Sequence, residues 1–237
     1  MLDQKNNNRS LEVDVLRGLA IVLMVIFHFG YDLTVFGWAS YNTSQDIEWR
    51  VFRTIIVSGF LLAVGMSSYL AYRRYVNLAK LIKAFSKLLV VSAGLTIFSL
   101  FMYPNAWIYF GIIHFIALAL PISVLFVRFP NIALILGLIS ILGYWQGIFE
   151  LKPVWQWSVE NLGIPSRTVD VVSFFPWIGV VLIGIFVMHK DMFSISIAEN
   201  GFTKPIAFLG QHSLVIYLIH QPILYGVLGA VYWIMQK

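Results

Sequence analysis

Four ionisable residues fall in or beside the first apolar run of the chain: Asp14, Arg17, His28 and Asp32. On a helix, with about 100° per residue, setting Asp14 at 0° puts Arg17 near −60°, His28 near −40° and Asp32 near 0°. All four share one narrow stripe, together with Ile21. The i, i+4 spacing of His28 and Asp32 lets the two side chains meet. An imidazole is the side chain best suited to moving a proton near neutral pH. A carboxylate one turn away can orient the ring and stabilise its charged form. An arginine lower on the stripe supplies a permanent cation for an anionic ligand. An ionisable group inside a membrane span costs about 2.5–3.5 kcal/mol, so such groups face protein or a water-filled cleft. The stripe therefore predicts a polar cleft. Two plainer readings stay open: Asp14–Arg17 as an ion pair at the membrane boundary, and His28–Asp32 as a buried structural pair.

Two more histidines sit in apolar runs, His114 in "WIYFGIIHFIALAL" and His220 in "SLVIYLIHQP". Ser213, Tyr217 and His220 share a helix face by their spacing. Arg50 and Arg53 lie a turn apart at the start of the second run. Pro176 and Trp177 open the sixth. Gln221 precedes Pro222, which removes a helix N–H and frees a carbonyl. Each of these has a structural reading as well. A membrane histidine is often an interhelical hydrogen bond, and Trp177 could be an interface anchor.

The elements that must position these groups are membrane helices. Of 237 residues, 59% are hydrophobic and only 11% charged, with a mean hydropathy of +0.83. A soluble domain carries about 25% charged residues. We expect an all-α, polytopic membrane helix bundle, a single domain over 1–237 with a disordered tail at 1–10. About seven spans are expected, at 15–37, 51–72, 83–103, 108–127, 131–149, 171–189 and 206–234. The fifth is the weakest. Eleven of the Lys and Arg residues fall on the side of the N-terminus: Lys5, Arg9, Arg17, Arg73, Arg74, Lys80, Lys83, Lys87, Arg128, Lys190 and Lys204. Arg50, Arg53, Lys152, Arg167 and Lys237 fall on the other. Positive residues mark the cytoplasmic side, so the N-terminus is expected inside and the C-terminus outside. The segment 150–170 reads as an interfacial connector or short surface helix, or else as a lid. Gly59, Ala63 and Ser67 read as a packing face.

The chain has no cysteine, which excludes thiolate chemistry and disulfides. No HExxH pattern, phosphate-binding loop, dinucleotide fingerprint or nucleophile elbow is present, and no metal or nucleic acid is expected.

The stretches "LEVDVLRGLAIVLMVIFHFGYDL", "VSGFLLAVGMSSYLAYRR", "YFGIIHFIALAL", "FFPWIGVVLIGI" and "LGQHSLVIYLIHQPIL" resemble, in order, the bacterial heparan-α-glucosaminide N-acetyltransferase catalytic-domain-like family. The wider resemblance is to transmembrane acyltransferases of the acyltransferase-three group. These carry Arg or Lys, ten residues, then His in their first helix, as Arg17 and His28 do here. The resemblance implies that His28 takes part in transfer and that Arg17 lies on the acyl-CoA side. The first outer loop, "GWASYNTSQDIEW", has no histidine where the animal lysosomal enzyme carries one, so that enzyme's mechanism and heparan substrate are not carried over.

The expected function is an integral membrane acyltransferase of the bacterial cytoplasmic (inner) membrane. It would move an acyl group, as acetyl, from cytoplasmic acyl-CoA to an amine or hydroxyl of a sugar or other acceptor at the outer side. The expected catalytic residues are His28, Asp32 and His114. Arg17, Asp14, Arg73 and Arg74 are expected at the CoA, with Lys80 or Lys83 beside them. Arg53, Arg50, Trp177, His220, Gln221 and Tyr217 are expected at the acceptor. Expected partners are membrane lipid, acyl-CoA and an unidentified acceptor such as a glycan, with room for a homodimer. The alternatives are a proton-coupled transporter or flippase using the same cleft, and a non-catalytic subunit.

Overall fold

Local signals set where the helices start and stop. The computed structural model describes residues 10–192 and 200–237. The tail expected at 1–10, Ser10 aside, lies outside the described residues. Helix α1, Leu11–Val35, opens after Ser10, whose backbone is extended and whose hydroxyl bonds to Glu12. Glu12 and Asp14 in the first turn suit the positive end of the helix dipole. The helix stops at Gly37, where φ is +74°, a left-handed conformation that glycine adopts without strain. Helix α2 is Ile47–Tyr72. Helix α3, Leu78–Met102, is capped by the Asn77 side chain, which accepts from the Lys80 N–H at 3.0 Å.

The remaining helices are α4, Ile112–Phe126; α5, Pro130–Trp145; α6, Lys152–Leu162; α7, Trp177–His189; α8, Thr203–Gln211; and α9, Ser213–Met235. Pro130 opens α5, a position where its missing N–H costs nothing. Among the described residues there are nine helices and no strand, only an isolated bridge between Phe110 and Val171. Helices α1, α2, α3 and α9 are long and apolar enough to cross a membrane; α4, α5 and α7 are apolar but shorter.

All seven expected spans correspond to apolar helices, with changed limits. The sixth begins at Trp177 rather than 171, because Val171 and Val172 are extended and pair with Phe110, the Val172 N–H donating to the Phe110 carbonyl at 3.1 Å. The seventh divides at His212 into α8 and α9. The segment 150–170 carries the short helix α6, which contains no buried residue.

The chain divides into two units, Met1–Ala63 with Phe193–Lys237, and Val64–Met192. In the first unit α1 packs against α8 and α9. The α1–α8 crossing depends on two glycines. A Cβ on Gly18 would collide with the Ile206 carbonyl, and one on Gly210 with the Asp14 carbonyl. Small residues of this kind let membrane helices approach backbone to backbone. The core beside this crossing is Ile21, Met24 and Ile56, with Phe27, Phe52, Leu209 and Ile216 against it. Gly59 faces Ala20 and Ala63 is fully buried, so both serve as packing positions.

In the second unit α5 packs on α7 and α3 on α4. Its core joins Tyr69, Tyr72, Val124, Val127, Ala133, Leu182 and Ile185. Ser123 donates to Ser68 at 2.8 Å inside the unit.

Candidate active site

The stripe on α1 is turned inward. Asp14 is 4% exposed, Ile21 1% and Asp32 0%, whereas Leu19 and Ile26 on the far side are 45% and 51% exposed. The helix therefore shows its ionisable face to protein and its apolar face outward, as the cost of charge in lipid demands.

At the upper end of the stripe α9 supplies the partners. The His28 and His220 rings lie with centroids 4.8 Å apart, tilted by 57°. Gln221 donates from Nε2 to Asp32 Oδ1 at 2.8 Å. His28 was expected to be oriented by Asp32. No hydrogen bond joins them, and the carboxylate instead faces Gln221 while the His28 ring meets His220. Phe27 packs edge-on to His28 at 5.6 Å and is itself backed by Trp49 and Phe52.

His220 is held in a defined tautomer. Its Nδ1 lies 2.8 Å from the Tyr217 carbonyl oxygen, an acceptor, so Nδ1 carries the proton and Nε2 presents a lone pair. That Nε2 has no partner among the described residues, and neither do Asp32 Oδ2 and Gln221 Oε1. With Asp32 as a carboxylate, these three buried atoms are all acceptors. Buried polar atoms without partners carry a desolvation cost.

The lower end of the stripe is built similarly. Asp14 Oδ1 lies 3.5 Å from Arg17 Nη1, and Oδ2 accepts from Gln211 Nε2 at 3.2 Å. Arg17 Nη1 also donates to the Gly210 carbonyl at 3.4 Å. Asp14 thus has both oxygens engaged and helps to fix the Arg17 guanidinium. Gln211 was not anticipated from the sequence. Its partner is 197 residues away, and nothing local marks it.

Arg50 and Arg53 are exposed on α2, and the Arg50 carbonyl accepts from the Thr54 hydroxyl at 2.9 Å. The other expected site residues belong to the second unit. His114 accepts from the Gly111 N–H at 3.3 Å through Nδ1, and its Nε2 lies 2.9 Å from the Thr96 hydroxyl, which donates on to the Ile108 carbonyl at 2.8 Å. Both ring nitrogens are occupied in closing the start of α4. Asp170 caps the same turn, accepting from the Ile112 N–H at 3.1 Å. Trp177 is the first residue of α7. Arg73 lies over the Tyr69 ring at 5.5 Å, and Arg73 and Arg74 are both exposed. Among the described residues no group of three or more His, Cys, Asp or Glu side chains is placed to hold a metal ion.

Among the described residues the chain is helical, with four helices long and apolar enough to cross a membrane, and a half-buried imidazole on α1 meets a buried one on α9. The chain belongs to the heparan-alpha-glucosaminide N-acetyltransferase catalytic family, whose profile matches residues 9–222. It is an acetyltransferase-family enzyme, and both ends of the stripe and both of the helix residues facing them lie inside the match. No curated protein matches the chain, and no solved structure does.

Proposed function

We propose that the chain, as one functional domain, is a multi-pass acetyltransferase of the cytoplasmic membrane. Acetyl-CoA is the donor from the cytoplasmic side, and the acceptor is an amine or hydroxyl reached from the outer side. In this reading all seven apolar helices cross or enter the bilayer, with the N-terminus inside. The excess of Lys and Arg on that side supports the orientation.

The observation that carries the proposal is the contact between His28 and His220 at 4.8 Å, directly above Ile21 and Arg17 on the inward stripe. Arg17, positioned by Asp14, meets a phosphate of CoA. Arg73 and Arg74 remain candidates for contacting acyl-CoA on the strength of the charge distribution alone. His28 engages the acyl group, as a base or as a transient acyl carrier. Asp32, Gln221, His220 and Tyr217 form the acceptor end, and Arg50 and Arg53 are candidates for holding the remainder of the acceptor. His114 is assigned a capping role at α4.

The test is thiol release from acetyl-CoA by the purified full chain in detergent, together with thermal stabilisation by acetyl-CoA. A functional donor site gives both. Proton-coupled solute uptake into proteoliposomes with neither CoA effect would overturn the proposal.

A further inference from the structure

Of the groups facing the stripe, His220 is the one whose geometry specifies a chemical role more closely than the proposed function does. Its ring is buried, 8% exposed. Its Nδ1–H is fixed on the Tyr217 carbonyl at 2.8 Å. That bond does two things. It orients the ring on a helix backbone, which cannot itself take the proton, and it leaves Nε2 as a lone pair with no partner among the described residues. A histidine held this way resembles the base of a catalytic triad, in which a fixed acceptor on one nitrogen sets the tautomer of the other. Here the fixed acceptor is a carbonyl.

The neighbours sharpen the role. Asp32 Oδ2 and Gln221 Oε1 are likewise unpartnered acceptors, and they belong to a pair tied together at 2.8 Å. Gln221 is next to His220 in the chain, and Asp32 is one turn from His28. Asp32 and Gln221 join α1 to α9 at this level, and the His220 ring meets His28 at 4.8 Å. A nucleophile brought to this end of the stripe meets a nitrogen base whose tautomer is already set. Asp32 and Gln221 are tied to each other, whereas His220 is the nitrogen base.

Resting on the acyltransfer reading above, we infer that His220 is the general base for the acceptor, while His28 faces the acyl donor. The nucleophile X–H attacks the acetyl carbonyl carbon and the X–C bond forms. The X–H proton passes to His220 Nε2, and the bond from the carbonyl carbon to the leaving group breaks. That leaving group is the CoA sulfur or, if the acetyl group is carried, the His28 nitrogen. The proton on His220 then passes to the leaving group and the ring returns to neutral. Asp32 and Gln221 are positioning residues for the nucleophile.

The experiment needs no knowledge of the natural acceptor. Thiol release from acetyl-CoA, after subtraction of the rate without protein, is followed for the full chain in detergent with two nucleophiles: water, which requires a base, and hydroxylamine, which is unprotonated at neutral pH and attacks thioesters without one. His220→Asn keeps a donor for the Tyr217 carbonyl and removes the base; His220→Gln is made in parallel in case the first does not fold. A variant is scored when acetyl-CoA still raises its melting temperature. The expected result is that the water reaction falls by about 10²–10⁴-fold while the hydroxylamine reaction is roughly unchanged. A folded variant that keeps the water reaction overturns the assignment. Equal loss of both reactions also overturns it, and leaves the acyltransfer reading standing on the wild-type rate. A wild-type chain that releases thiol with neither nucleophile removes both.

Discussion

Gln221 donates to Asp32 at 2.8 Å, tying the last described helix to the buried carboxylate near the upper end of the first. Removing that donor leaves Asp32, fully buried, with neither oxygen bonded. Gln221→Leu should lower stability by about 1–2 kcal/mol, read as a drop in melting temperature in detergent. Gln221→Glu should be worse, because it sets two carboxylates against each other. Wild-type melting in both variants would show that the contact contributes nothing.

His28→Ala should remove most turnover, by about 10²–10⁴-fold, with both water and hydroxylamine, since both reactions use the same donor side. The monodisperse elution profile should be kept, because the half-buried ring makes edge contacts rather than hydrogen bonds. Near-normal thiol release from purified His28→Ala would end its assignment as the transfer residue.

Arg17→Ala should abolish the thermal stabilisation that acetyl-CoA confers, and Arg17→Lys should restore part of it, since an ammonium keeps the charge but not the planar fork. The result that would count against an acyl-CoA role is an unchanged shift in Arg17→Ala.

Gly210→Val should lower the melting temperature sharply, by a loss above about 3 kcal/mol, because its Cβ would occupy the place of the Asp14 carbonyl. Gly226→Ala, which meets nothing within 4 Å, should melt like the wild type. Equal behaviour of the two would mean that α1 and α8 do not cross at these glycines.

Thr96→Val removes the partner of His114 Nε2. If His114 caps α4, the variant loses about 1–2 kcal/mol of stability and keeps its turnover per folded molecule. A collapse of turnover at full stability would instead give His114 a place in the chemistry.

The inward face of α1 was legible because angular position depends only on residue count, and every ionisable group fell within one arc. What α9 contributes was only half legible. His220 and Gln221 stood out as polar residues beside Pro222, but their pairing with His28 and Asp32 depends on how α9 rotates against α1. The expected His28–Asp32 contact followed from their spacing alone; a nearer partner on another helix took the carboxylate. Gln211 was missed for the same reason. The division at His212 follows Gly210 by two residues, but a single glycine is tolerated inside a membrane helix, so an apolar pattern running from 206 to 234 read as one helix. The late start of α7 came from pairing between 106–110 and 168–172, a long-range event with no periodic signal.

The two glutamines that hold Asp14 and Asp32 lie 197 and 189 residues after their partners. Synthesis runs from the first helix to the last, so α1 enters the bilayer before either glutamine exists. For that interval Asp14 keeps Arg17 on its own helix, but Asp32 is without Gln221, at the penalty of about 2.5–3.5 kcal/mol that lipid imposes on an ionisable group. The stripe that makes the site is thus also a demand on biogenesis. Nascent α1 has to be sheltered by the insertion machinery, or held near the water interface, until α8 and α9 emerge, and a chain halted before Gln211 would present the quality-control proteases with an unsatisfied first helix.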